Sequence, residues 1–331
     1  MSLTRPFKET VRARAARDPA FHEALITGTM SEFKAPPPKR LTVEDLHNVV
    51  AKLPDEMRND DGGRTIGIAN SVIAHFLGKD WFVAHIRPDA PKIGFLNLDF
   101  STDRRREATV FRVVELAESL FNLQHIDGFD ACIAQMRAGA EKIESTCAEL
   151  DFGRFLYIHD VRFRFVEPQM TKGADYDYEI TYPDGLSVPA DAKCKFESTD
   201  IDPESVRNSL IKARKQLPPD RPGVIFVKVP QTWTEDVRIA NGFVGVGREF
   251  FRTTDRIVSI KFYVSHLETK NEMISHRHAF REITNTESKF HGGRNWDLFT
   301  DYYVPPSWNG MPPKWQRIFF FPNSAASAAT P

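Results

Sequence analysis

The sequence predicts an α/β (α+β) chain: a mixed central sheet flanked by helices in the order helix, three strands, helix, strand (αβββαβ), with an N-terminal helical accessory region. Three observations carry this expectation. Apolar residues recur at helical spacing through 104–150. Two alternating segments, DYDYEITY at 175–182 and SVPADAKCK at 187–195, flank a Pro-Asp-Gly turn. GVIFVKV is an unbroken apolar run, as expected of a strand buried on both faces.

Taken in order, PFKETVRARAARDPAFHEALITGTM reads as one or two short helices broken at Asp18-Pro19, because proline disfavours helix in the residue before it. Pro36-Pro37-Pro38 ends that unit. A second break is expected at PDEMRNDDGG, 54–63, before the helix-like TIGIANSVIAHFLG and the strand-like KIGFLNLDF. The spacing of Val110, Val113, Ala117, Leu120 and Phe121 predicts an amphipathic helix over 104–123. Ile133, Met136, Ala140, Ile143, Cys147 and Leu150 then predict one longer helix, ending near His159-Asp160. VRFRFVE alternates as a strand, and the two segments around the turn follow it. Asp202-Pro203-Glu204 combines an N-cap, a proline at the first helical position and an acid in the first turn. Val206, Leu210, Ala213 and Leu217 form the buried stripe of that helix, which Pro218-Pro219 stops. The expected organisation is an accessory region over 1–100, a core with its leading helices over 101–270, an aromatic and proline-rich cap over 271–322, and a disordered tail over 323–331.

Composition excludes several classes. The 331 residues are 41% hydrophobic and 27% charged, enough for one large core or two ordinary ones. No apolar run is long enough to cross a bilayer, and the N-terminus lacks a signal-peptide core, so no membrane association and a cytoplasmic location are expected. Three widely spaced cysteines indicate neither a disulfide framework nor a zinc knuckle. With a net charge of −1, any contact to a nucleic-acid backbone must come from local basic patches.

The chemistry concentrates in the hairpin. Strand side chains alternate, so Asp175, Asp177 and Glu179 are expected on one face of the first strand, opposite Tyr176, Tyr178 and Ile180. Asp191, Lys193 and Lys195 share a face of the second. Carboxylates and a lysine meeting at one spot suit a divalent cation and charge on a phosphate. Alone, such a hairpin is most often a solvated face with cross-strand ion pairs; a striped helix before it and a capped basic helix and buried strand after it favour a metal site.

That order and those residues resemble the core of the PD-(D/E)XK nuclease superfamily, the restriction-endonuclease-like fold, over roughly 141–230 and RIVSIKFYV at 256–264. Asp191-Ala192-Lys193 matches the family's acid-x-lysine element, with Asp where many members have Glu. Asp177, or Asp175, stands for the acid of the preceding strand; neither follows a proline. The resemblance implies a metal-dependent nuclease acting on DNA with Mg²⁺ or Mn²⁺, held by Asp177, Asp191 and the backbone carbonyl of Ala192, with Glu149 as the helix acid. Lys193 would stabilise developing charge or orient the attacking water, and Lys195 could touch phosphate. Arg207 and Lys215 on the basic helix, and Arg162 and Arg164 on the preceding strand, are candidate nucleic-acid contacts, while Lys212 is expected to point away from the apolar stripe of its helix. A homodimer is compatible, as double-strand cutters often pair two sites by two-fold symmetry. The alternative is an inactive nuclease-like fold that binds nucleic acid or protein. Elsewhere, GFVGVG at 242–247 reads as a flexible loop, and His276 and His278 as surface or packing residues.

Overall fold

The computed structural model describes residues 38–86, 95–96, 103–169, 171, 173–196, 200, 202–230, 233, 237–270, 273–298, 315–319 and 321–322. The chain divides into Met1–Lys39 and Arg40–Pro331, and all the described elements lie in the second unit. The helices expected before residue 31, most of KIGFLNLDF, much of the aromatic cap and the 323–331 tail fall outside the described residues.

Four helices come first: α1 (Val43–Lys52), α2 (Asp55–Asn59), α3 (Asp61–Leu77) and α4 (Lys79–His85). Thr42 and Asp45 close α1 with a reciprocal capping box. The break expected over 54–63 is instead mostly helical. Asp60 accepts the Gly63 N–H at 2.6 Å, and the two glycines sit in the first turn, where that cap holds them. Next come α5 (Asp103–Leu123), α6 (Phe129–Ala138) and α7 (Ala140–Ile158). The single helix expected through Ile133 and Leu150 is therefore two, parted at Gly139, whose backbone is extended (φ 175°, ψ 153°). Both halves face the same core, so the apolar stripe runs on across a one-residue break that periodicity cannot register.

The sheet follows: β1 (Arg162–Phe165), β2 (Tyr178–Thr181), β3 (Ser187–Cys194), then helix α8 (Pro203–Gln216), β4 (Gly223–Lys228), helix α9 (Val237–Phe251), β5 (Ile257–Lys270) and β6 (Met273–Thr284). Strand order in space equals order in sequence. The β1/β2, β2/β3 and β5/β6 pairs are antiparallel, whereas β3/β4 and β4/β5 are parallel and connected through helices. The boundary expected at 270 falls at the β5–β6 hairpin, so 273–284 belong to the sheet.

Strand β4 explains how the layers are held. Val224 and Phe226 enter a core shared with α7, while Ile225 and Val227 enter a second core under α8 and α9. Every residue of β4 is buried. Leu46, Val50, Ile68, Val72 and Phe76 of the leading helices lie in the same cluster as Phe152, Tyr178 and Ala190, so these helices share the core of the sheet. The GFVGVG stretch is part of α9 and not a loop. A Cβ on Gly247 would lie 2.6 Å from Ile283 Cδ1, so glycine there lets the helix pack closely on β6. Among the described residues no helix is long and apolar enough to cross a membrane.

Candidate active site

The β2–β3 hairpin turns through Gly185 (φ 85°), with the Gly185 N–H donating to the Tyr182 carbonyl at 2.9 Å. Its register pairs Tyr178 with Ala190 and Ile180 with Val188, all on the buried face toward α7. Strand β2 begins only at Tyr178, so Asp175, Tyr176 and Asp177 precede it and the alternation expected from 175 does not extend that far back. Tyr176 packs against the second core while Tyr178 and Ile180 lie in the first. Glu179 turns away from the other acids. It accepts from Tyr176 Oη (2.7 Å) and Ser187 Oγ (2.6 Å) and pairs with Arg221. Burial pushes the Glu179 carboxyl up, but those hydrogen bonds and Arg221 outweigh it and hold it below its ordinary value.

Geometry separates the two candidate first acids. The Asp177 N–H donates to the Ala190 carbonyl at 3.1 Å, and Asp177 Oδ2 accepts the Ala192 N–H at 2.6 Å, so this side chain reaches β3 beside Asp191. Asp175 Oδ1 instead accepts the Gln169 N–H at 3.1 Å, and its carbonyl accepts from Gln216 Nε2 at 2.8 Å. It is directed to the loop before β2 and to the end of α8.

Asp191 is fully buried, and its carboxylate oxygens have no hydrogen-bond donor beyond the Lys193 ammonium. Lys193 Nζ lies 2.5 Å from Asp191 Oδ2 and 3.3 Å from the Ala192 carbonyl oxygen. Burial, followed by the Asp177 charge, pushes Asp191 up to about 8, against the pull of Lys193. Asp177, half-buried, is raised by burial despite Lys193 and the Ala192 N–H. Burial lowers Lys193, but Asp191, Asp177 and Glu149 more than offset it, so the ammonium is held charged.

Glu149 comes from α7, which lies across the sheet through Phe152, stacked on Phe226 at 4.4 Å, and Phe155, edge-on to Tyr263 at 5.1 Å. It sits three residues before Phe152 and so on the sheet-facing side. The Tyr178 hydroxyl donates to its main-chain carbonyl, and Cys132 Sγ lies 3.7 Å from Glu149 Oε2. Burial, then the charges of Asp177 and Asp191, hold it well above the ordinary carboxylate range, with Lys193 opposing. Tyr178 and Cys132 were not singled out from the sequence, since both read as ordinary core residues until α7 and β2 are seen together.

The other candidates separate. Lys195 Nζ donates to the Ser205 carbonyl at 2.6 Å, turning to α8 and not to the acids. Burial and then the charge of Lys212 lower it; Lys212 itself is exposed, off the apolar stripe of α8 as expected. Arg207 is exposed and pairs with Glu204 of its own helix at 3.5 Å, and Lys215 is exposed. Arg162 and Arg164 are exposed on edge strand β1. Register carries Arg164 opposite Glu179 and Glu179 opposite Pro189, so Arg164 shares a sheet face with Asp191 and Lys193. His278 belongs to a different, buried polar network. Arg154 Nη2 lies 2.7 Å from its Nε2, Glu115 Oε1 lies 3.0 Å from the same nitrogen, and Tyr263 Oη lies 3.0 Å from Nδ1.

Among the described residues no group of three or more His, Cys, Asp and Glu side chains is placed to hold a metal ion. Two carboxylates and a carbonyl form a smaller set. Mg²⁺ takes hard oxygen donors and needs only one or two carboxylates, keeping several waters. The carboxylate of Asp191, beside Asp177 and the Ala192 carbonyl, fits that requirement. The Lys193 ammonium contacts two of these oxygens, so a dication would compete with it. Comparison of the chain with family models, with curated proteins and with solved structures found no match.

Proposed function

We propose that Glu149, Asp177, Asp191 and Lys193 form the active site of a metal-dependent nuclease that hydrolyses phosphodiester bonds in DNA, on a core of the PD-(D/E)XK, restriction-endonuclease-like kind. The observation that carries the reading is the fully buried carboxylate of Asp191, whose close partner is Lys193 at 2.5 Å, with Asp177 hydrogen-bonded across to Ala192. The order helix, three antiparallel strands, helix, parallel strand supports it. So does the supply of oxygen donors: three carboxyls lie around one ammonium, and their ionisation would accompany the binding of a cation.

Asp177, Asp191 and the Ala192 carbonyl would hold Mg²⁺ or Mn²⁺, which supplies positive charge to the phosphate oxygens when bound. The residues of this chain supply the rest. Lys193 stays charged and donates to the oxygen on which negative charge develops, or to the attacking water. Glu149, whose carboxyl burial and the neighbouring acids hold well above its ordinary value, would be the candidate proton donor of the site. Cys132, Cys147 and Cys194 are not joined in disulfides, which fits a reducing compartment such as the cytoplasm.

The test is incubation with circular, linear and single-stranded DNA and with RNA, in Mg²⁺, Mn²⁺ or EDTA. Cleavage only with metal is expected; a folded protein that binds no divalent ion and leaves every substrate intact rejects the enzyme. One observation favours a second reading, an inactive binding module: the Lys193 ammonium already satisfies the acids as an ion pair. That reading predicts nucleic-acid binding unaffected by Asp191→Ala.

A further inference from the structure

Beside the acids lies a polar recess of about 470 Å³, lined among others by Asp127, Arg164, Glu167, Gln169 and Tyr176. Its size falls in the range of small-molecule sites. It is also framed by the main chain. The Phe165 N–H donates to the Asp127 carbonyl at 2.8 Å, the Val166 N–H donates to the Asp177 carbonyl at 2.9 Å, and the Gln169 N–H donates to Asp175 Oδ1 at 3.1 Å. Tyr176 is fixed by its bond to Glu179, which Arg221 holds in turn. Gly128, at φ 80°, closes the floor where a Cβ would collide with the Phe165 carbonyl. Asp177 follows Tyr176 directly, and its main-chain carbonyl holds Val166 of the wall.

The charges indicate what would fit. One exposed arginine stands against two exposed carboxylates, Asp127 and Glu167, which disfavours a phosphate backbone. A flat ligand carrying both acceptors and donors suits the same walls. Guanine presents O6 and N7 to a guanidinium and an exocyclic amine to a carboxylate, and any base can stack on a tyrosine ring. From this arrangement we infer that the recess binds a guanine base, that of the nucleotide next to the phosphate held at Asp177 and Asp191. Such a base must leave a duplex to enter, so the substrate is single-stranded or locally splayed. The inference deepens the nuclease reading and rests on it for the role of the bound base.

The experiment separates the two. Binding of guanosine, adenosine and cytidine monophosphates to the full-length protein is measured by calorimetry in EDTA, where no metal-dependent hydrolysis occurs. Guanosine monophosphate should bind roughly tenfold more tightly than the others, the worth of one good base contact. Arg164→Ala and Glu167→Gln, both at exposed positions, should each remove that preference while leaving the thermal midpoint unchanged. Equal binding of the three nucleotides, or a preference untouched by both variants, overturns the guanine site and leaves the nuclease reading intact. A preference for guanine in a protein that cleaves nothing upholds the site and removes the nuclease.

Discussion

Replacing Asp191 with asparagine removes a buried carboxyl whose cost to folding can be worked out. In the unfolded chain this carboxyl ionises near 3.8, and in the fold burial and Asp177 push it up to about 8. Between those values the unfolded chain has lost a proton that the native state retains, so stability falls as pH rises from about 4 to about 8, by roughly 1.4 kcal/mol per pH unit for a single independent site. At pH 7 that is about three units, an upper bound near 4 kcal/mol. Lys193 loses its nearest acid in the variant, but Asp177 and Glu149 still face it. Breaking one contact of a buried ion pair has its own cost, so the expected net gain is about 1–3 kcal/mol at pH 7 without metal. Below pH 4 the gain should vanish, because wild-type Asp191 is then protonated in both states. Urea unfolding of wild type and Asp191→Asn at several pH values in EDTA checks this. An Asp191→Asn protein less stable than wild type at pH 7, or a difference that does not grow with pH, would show that the acid cluster is a stabilising ion pair and refute the reasoning.

Three further outcomes are expected. Mg²⁺ binding at pH 7 should displace about one proton, because Asp191 is protonated there and a metal needs it ionised; the calorimetric heat should then vary with the ionisation enthalpy of the buffer, and a buffer-independent heat would contradict it. Gly128→Ala should cost at least about 2 kcal/mol in urea unfolding, since φ is 80° and the new methyl meets the Phe165 carbonyl; an unchanged midpoint would mean that the loop yields. Arg154→Ala should cost about 3–5 kcal/mol, because it leaves Glu115 without the buried guanidinium 3.2 Å away. A loss below about 1 kcal/mol would make that network dispensable.

What the sequence revealed was mostly local. The start of α8 was legible because Asp202 accepts the Glu204 and Ser205 N–H groups, both at 3.0 Å, from within its own turn, and Pro203 follows it. The hairpin was legible from its turn and the alternation of Tyr178, Ile180, Val188 and Ala190, and β4 from its unbroken apolar run. Features decided by distant contacts were hidden. The stripe from Ile133 to Leu150 reads the same with or without a break at Gly139, and the glycines of α9 look like a loop until Ile283 explains Gly247. Likewise, Asp175 and Asp177 are interchangeable in the sequence. They differ because Gln169 and Gln216 engage one while the Ala192 N–H engages the other.

The central claim is that Asp191 and Lys193 act together in metal-dependent hydrolysis. Its most direct test is the rate of DNA cleavage in Mn²⁺ by wild type, Asp191→Ala and Lys193→Ala, each shown by circular dichroism to be folded. Both variants should lose activity by about 100-fold or more, the usual loss when a group acting in the transition state is removed. Equal cleavage by all three proteins would place the activity elsewhere and contradict the account.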